Sequence, residues 1–266
     1  MAEQRNDVWA IGDAYQPYVG RWSSLVAREF VAGLAVSPRS RWLDVGCGTG
    51  ALTQAILDGA DPSGVTGIDP SDGFLAYARR RVTSTTARFE VGDAQALPVE
   101  DAGFDAAVSG LVLNFVPDMI KAVHELARAT RSRGRVAAYV WDYAGEMQLM
   151  RRFWDAAISL DPAALPLDEG RRFPICRERP LGELFRSAGL QQVEVRALDV
   201  PTVFRDFEDY WTPFIGGQGP APGYCMSLVE ERRGALREQL RATLPTRADG
   251  SIALMARAWA VRGITS

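Results

Sequence analysis

The chain has 266 residues, 30 Lys+Arg against 33 Asp+Glu for a formal net charge of −3, and a 47% share of hydrophobic residues. This composition excludes intrinsic disorder, which couples low hydrophobicity to high net charge. A pI near 5.4 argues against a nucleic-acid footprint. The length suits one α/β domain with a modest addition, and there is ample apolar material for a full core.

Cys47, Cys176 and Cys225 form no C-x-x-C pair, and His124 is the single histidine, so no metal site is expected. No run of about 18 apolar residues is present to span a membrane. The first 30 residues carry polar and acidic groups throughout, so no signal peptide is expected there. The expectation is a cytoplasmic protein with no membrane partner. Arginine clusters at 79–81, 151–152, 171–172 and 232–233 are scattered and read as solvated helix faces, so no nucleic-acid partner is expected either.

In chain order, the first pattern is helical, with Trp22, Leu25, Val26, Phe30 and Leu34 at steps of three and four. Pro38 and Arg39-Ser40 close it. Short apolar runs then appear at Trp42–Val45, Val65–Ile68, Ala87–Val91, Phe104–Val108 and Val136–Trp141. Helical stretches at Ala51–Leu57, Gly73–Val82 and Met119–Thr130 separate them. That alternation predicts βαβ units with right-handed crossovers, hence a doubly wound, three-layer α/β/α sandwich on a mostly parallel sheet. Further on, Leu181, Leu184, Phe185 and Ala188 predict a short helix stopped by Gly189. Strands follow around Val193 and Val195 and over Ile252–Val261. Between these strands lies an excursion, about 205–250, with Tyr210, Trp211 and Phe214, a Gly/Pro-rich run at 216–223 and a charged helix near 226–244. A long insertion of this kind is commonly a lid or binding loop. The division expected is an N-terminal lid segment and helix over 1–40, a cofactor-binding core over 41–200 and 251–266, and a helical substrate cap over 201–250.

The most informative stretch is Leu43-Asp44-Val45-Gly46-Cys47-Gly48-Thr49-Gly50, a strand running through a glycine turn into a helix. Glycines there let a ligand approach the backbone closely. The loop alone is ambiguous: Gly46, Gly48 and Ala51 also satisfy the dinucleotide fingerprint, with Asp69 where a ribose-binding acid belongs, so an NAD(P)-dependent oxidoreductase is one reading. Two further acids shift the balance. Asp44 sits just before the glycines, and Asp93 ends the next strand in Gly92-Asp93-Ala94. Three acids at the carboxyl ends of neighbouring parallel strands suit a cationic nucleoside better than a pyrophosphate. Taken singly each has a plainer explanation, since Asp is ordinary turn and capping chemistry.

At these residues the sequence resembles the class I S-adenosylmethionine-dependent methyltransferases, of the subgroup that includes the quinone-biosynthesis C-methyltransferases. The resemblance spans roughly residues 40–142 and continues through Phe104-Asp105-Ala106-Ala107-Val108-Ser109 and Gly134-Arg135-Val136. It implies S-adenosylmethionine as cofactor and a seven-stranded sheet whose last strand is antiparallel and inserts beside the fifth. It also implies that Gly46 to Gly48 approach the methionine part, Asp69 the ribose hydroxyls, Asp93 and the Ala94 amide the adenine edge, and Gly110 the cofactor through its backbone. The full cofactor-binding set expected is Asp44, Gly46, Cys47, Gly48, Asp69, Pro70, Asp93, Ala94 and Gly110.

Methyl transfer draws much of its acceleration from holding two groups in near-attack geometry, so it need not show a recognisable catalytic residue. None is assigned. His124 shares a polar helix face with Lys121 and Arg128 and reads as a surface residue, and Cys47 reads as a small packing residue. Asn114 stands where relatives often carry histidine, which weakens any inference of histidine-assisted catalysis. Acceptor contacts are expected from Tyr18, Trp22, Asn114, Trp141, Tyr143 and Trp211, although large rings equally fill cores. Arg21 is open between a surface role and the cofactor carboxylate. The partner expected is a small-molecule methyl acceptor, apolar or aromatic in keeping with the cap, and a non-catalytic cofactor-binding module is the remaining alternative.

Overall fold

The computed structural model describes residues 20–216 and 219–266. Its framework is a seven-stranded sheet ordered β3-β2-β1-β4-β5-β7-β6. The strands are β1 (Arg41–Val45), β2 (Gly64–Asp69), β3 (Ala87–Val91), β4 (Phe104–Gly110), β5 (Thr130–Trp141), β6 (Gln191–Phe204) and β7 (Ile252–Ile264). β1 to β5 pair in parallel, while β7 runs antiparallel to both β5 and β6 between them. The predicted doubly wound sandwich with its antiparallel last strand beside the fifth is therefore the fold observed.

The first five strands read as apolar runs because helices cover both faces of a parallel sheet. Trp42, Leu43, Val65, Ile68, Val108 and Val136 are all buried. Helix α1 (Arg21–Ala32) precedes β1, and the helical crossovers are α2 (Ala51–Gly59), α3 (Asp72–Arg81) and α4 (Met119–Ala129). Two of these helices start on side-chain caps: the Phe74 amide donates to Ser71 Oγ at 3.3 Å, and the Lys121 amide to Asp118 Oδ1 at 2.9 Å. Each cap satisfies an amide that the first turn leaves without a helical partner. His124 lies exposed on α4.

Past β5 the chain adds α5 (Gln148–Leu160), a 3-10 turn (Pro162–Leu167), α6 (Glu169–Arg172) and α7 (Glu178–Ser187). α5 was not legible as a helix in the sequence, although Leu149, Met150, Phe153, Trp154 and Ala157 form its buried side. Between β6 and β7 come α8 (Phe207–Trp211), a 3-10 turn (Thr212–Gly216), α9 (Pro220–Ser227) and α10 (Glu230–Thr243). The aromatic residues of this insertion pack against α5 as an extension of the main hydrophobic core. Phe214 stacks on Phe153 with ring centroids 4.4 Å apart, and the Tyr210 hydroxyl donates to the Leu149 carbonyl at 3.1 Å. No helix among the described residues is long and apolar enough to cross a membrane.

Candidate active site

The carboxyl ends of β1 to β5 open onto one cavity of about 330 Å³. Gly46, Cys47, Gly48, Asp69, Pro70, Asp93, Ala94 and Gly110 all line it. Gly46 must be glycine on two counts: its φ is +73°, and a Cβ there would fall 2.5 Å from a Val112 methyl. The loop thus keeps backbone, not side chain, at the cavity wall.

Asp69 is the structural hub of the wall. It ends β2, is buried, and accepts the Gly48 amide on Oδ2 and the Ser71 amide on Oδ1, both at 2.9 Å. One carboxylate therefore fixes the glycine loop and the turn into α3, with lone pairs remaining for a ligand hydroxyl. Burial raises its pKa, and the two amide bonds oppose that rise. Asp93 contrasts with it. Exposed beyond β3, it accepts the Gln95 amide at 2.9 Å and the Gln95 side chain at 3.1 Å, and these bonds lower its pKa. Among the described lining residues there are two carboxylates and no Lys, Arg or His. A wall of that charge fits a cationic nucleoside.

Asp44, expected beside the cofactor, is not on the wall. It is fully buried beneath the loop, where the Thr53 hydroxyl donates to Oδ2 at 2.7 Å and Oδ1 has no partner. Burial pushes its pKa up to about 7. Its even register in β1 aims it at the helix layer, away from the open edge. Cys47 lines the cavity, but its sulfur also fills the space beside Gly67, and burial pushes the thiol pKa up, which suits packing and not nucleophilic attack.

The expected acceptor residues are not gathered at the cavity. Trp22 packs edge-on against Phe204 with centroids 5.5 Å apart. Trp141 is a buried β5 residue, Tyr143 leans on Phe173 at 5.9 Å, and Trp211 stacks on Phe207 at 6.4 Å. Asn114 is buried in the turn after β4 with its Nδ2 unpartnered, and it is absent from the wall. Tyr18 lies outside the described residues. The physical reason is common to the rings: each buries more apolar area in the core than it would at a cavity rim. Arg21 is likewise engaged elsewhere. Its guanidinium lies over the Trp22 and Phe204 rings and pairs with Asp209 at 3.1 Å, tying α1 to α8.

The apolar side of the cavity comes instead from Phe74, Val112, Phe115, Val116 and Pro117. Phe115 packs edge-on against Phe173 at 5.2 Å, which couples the wall to the α6–α7 connection. Tyr139 and Ser23 complete it. The sequence offered a signal for Phe115, one residue from Asn114 in the same strand exit. It offered none for Tyr139, which sits inside an apolar strand run.

Residues 43–138 match the methyltransferase domain family. A demethylmenaquinone methyltransferase from Symbiobacterium thermophilum is 37% identical over 123 residues, covering 44% of this chain and 48% of that protein. The chain thus spans about half the length of that relative. Phosphoethanolamine N-methyltransferase 2 of Haemonchus contortus, solved with phosphomonomethylethanolamine and S-adenosylhomocysteine, superposes with a TM-score of 0.58 at 16% identity, over 96% of this chain and 57% of its own. The 4+2 cyclase SpnF superposes at 0.55 and 21% identity, over 98% and 86%. Strand order, cavity and the match over residues 43–138 are together similar to those of the class I S-adenosylmethionine-dependent methyltransferases.

Proposed function

We propose that the protein transfers a methyl group from S-adenosylmethionine, in line, to a small acceptor that is apolar or aromatic. The observation that carries the cofactor half is the meeting of Asp69, Asp93 and the Gly46–Gly48 loop on one cation-free wall. When bound, the cofactor supplies an electrophilic methyl on a sulfonium. Asp69 would receive the ribose hydroxyls, Asp93 and the Ala94 amide the adenine edge, and the loop backbone the methionine part. Phe74, Val112, Phe115 and Val116 exclude water from the remaining face and favour an acceptor that needs no counter-charge. No side chain on the described wall is assigned as a base, so acceleration rests on orientation and desolvation.

The test is calorimetric titration with S-adenosylhomocysteine, with NAD and NADP in parallel, on wild type and Asp69→Ala. Binding of S-adenosylhomocysteine alone, weakened by the substitution, supports the reading and justifies an acceptor screen with radiolabelled methyl donor. Binding of a nicotinamide cofactor instead would overturn it.

A further inference from the structure

The reactive end of the cavity can be located from the strand order. Along the sheet run Asp93 after β3, Asp69 at the end of β2, the glycine loop after β1, Gly110 at the end of β4 and Tyr139 in β5. Neighbouring strands lie about 5 Å apart, so β5 is three strands removed from the acid of β2. A nucleoside anchored at β3 and β2 leaves the opposite end of its amino-acid arm toward β4 and β5.

At that end the tyrosine phenol lies across glycine backbone. Tyr139 pairs with Gly110 in the sheet, and a Cβ on Gly110 would fall 2.6 Å from the Tyr139 hydroxyl oxygen. Gly110 is thus glycine because a phenol occupies the place of its side chain. Phe30 of α1 holds the ring from the other side, with centroids 4.6 Å apart. The Leu111 amide donates to the Tyr139 carbonyl at 2.8 Å, and Leu111 takes φ +63° at the cavity rim, a left-handed conformation that a leucine adopts only when its surroundings impose it. Tyr139 is 2% exposed, yet it lines the cavity.

We propose that Tyr139 is a positioning residue for the transferred methyl: its hydroxyl oxygen accepts C–H···O contacts from the methyl carried on the sulfonium and so aims that methyl at the acceptor side. This rests on the S-adenosylmethionine reading above. Sulfonium charge polarises the methyl C–H bonds, and a fixed oxygen at the end of β4 and β5 is complementary to them. Phe115 and Val112 lie on the same wall of the cavity.

The experiment is calorimetry on the full chain with S-adenosylmethionine and S-adenosylhomocysteine, which differ by that methyl and its charge. Tyr139→Phe keeps the ring against Phe30 and removes only the hydroxyl. It should weaken S-adenosylmethionine by about two- to fivefold and leave S-adenosylhomocysteine unchanged. Gly110→Ala, which displaces the phenol, should shift the ratio of the two affinities in the same direction. An unchanged ratio in Tyr139→Phe, whether both ligands bind as before or both are weakened alike, overturns the proposal while leaving the cofactor assignment standing. Failure of either ligand to bind wild type removes the cofactor assignment, and the role of Tyr139 with it.

Discussion

The two ends of the molecule spend their polar and aromatic residues in opposite ways. At the edge of β1 to β4, carboxylates and glycines line the cavity and keep lone pairs or bare backbone turned toward it, as Asp69 and Gly46 do. In the α5 and 205–251 region the rings turn inward: Trp211, expected as an acceptor contact, is buried, and Phe153, Tyr210 and Phe214 are fully buried. An acid at a strand end has few alternatives to a binding or turn role, whereas a tryptophan always has the core as a competitor. Composition marks a cofactor edge more securely than an acceptor pocket.

The sharpest way to break this contrast is to damage each region and ask which property fails. Phe153→Ala, in the aromatic core, should lower stability by about 3–5 kcal/mol in chemical denaturation while the folded fraction binds S-adenosylhomocysteine with unchanged affinity. A matching loss of affinity per folded molecule would mean that the two regions are energetically one. Asp69→Ala should do the reverse. It releases two amides and the ribose acceptor, and charge-assisted bonds of about 1.5–3 kcal/mol predict roughly 100-fold weaker S-adenosylhomocysteine binding by calorimetry, with a smaller change in melting temperature.

Each region also carries one buried carboxyl raised to about the same pKa. Burial pushes Asp44 beneath the loop to about 7, and burial likewise pushes Glu169, which accepts the Trp154 indole N–H, to about 7. A carboxyl raised on folding gives stability that is whole below its unfolded pKa near 4 and is lost as pH rises through 7. Stability from urea titrations should therefore decline between about pH 4 and 7, by no more than about 1.4 kcal/mol per pH unit for each group. Asp44→Asn and Glu169→Gln should each flatten part of that slope. A wild-type profile rising over this window would show both carboxyls to be ionised in the fold. The smallest effect is expected at the tie between the regions. Arg21→Met, which removes the partly exposed pair with Asp209, should cost about 1 kcal/mol and leave cofactor affinity unchanged.

What was legible follows the same division. The run of β1 to β5 with α2, α3 and α4 could be read because apolar blocks, glycine turns and caps such as Asp118 are local signals. Asp69 and the loop could be read because a fixed order of motifs is hard to produce by packing alone. Asp44 misled because its distance from the wall is set by side-chain direction in β1, which spacing does not reveal. α5 escaped because Met147-Gln148 at its start provides no side-chain cap. Tyr139 escaped for a subtler reason: its importance lies in a cross-strand partner, Gly110, that is 29 positions away in the chain.

The placing of β7 bears on the order in which the chain can fold. β5 and β6 both pair with Ile252–Ile264 and not with each other, so the two strands hold open edges until residues 252–264 arrive. The residues 205–251 are synthesised in between, at about 5–20 residues per second, which leaves both edges unpaired for seconds on the ribosome. Loop closure over such a segment adds little to the equilibrium cost, but it delays the β5–β7–β6 pairing that completes the sheet. The strands whose carboxyl ends line the cavity can therefore be assembled well before the far edge of the sheet is closed.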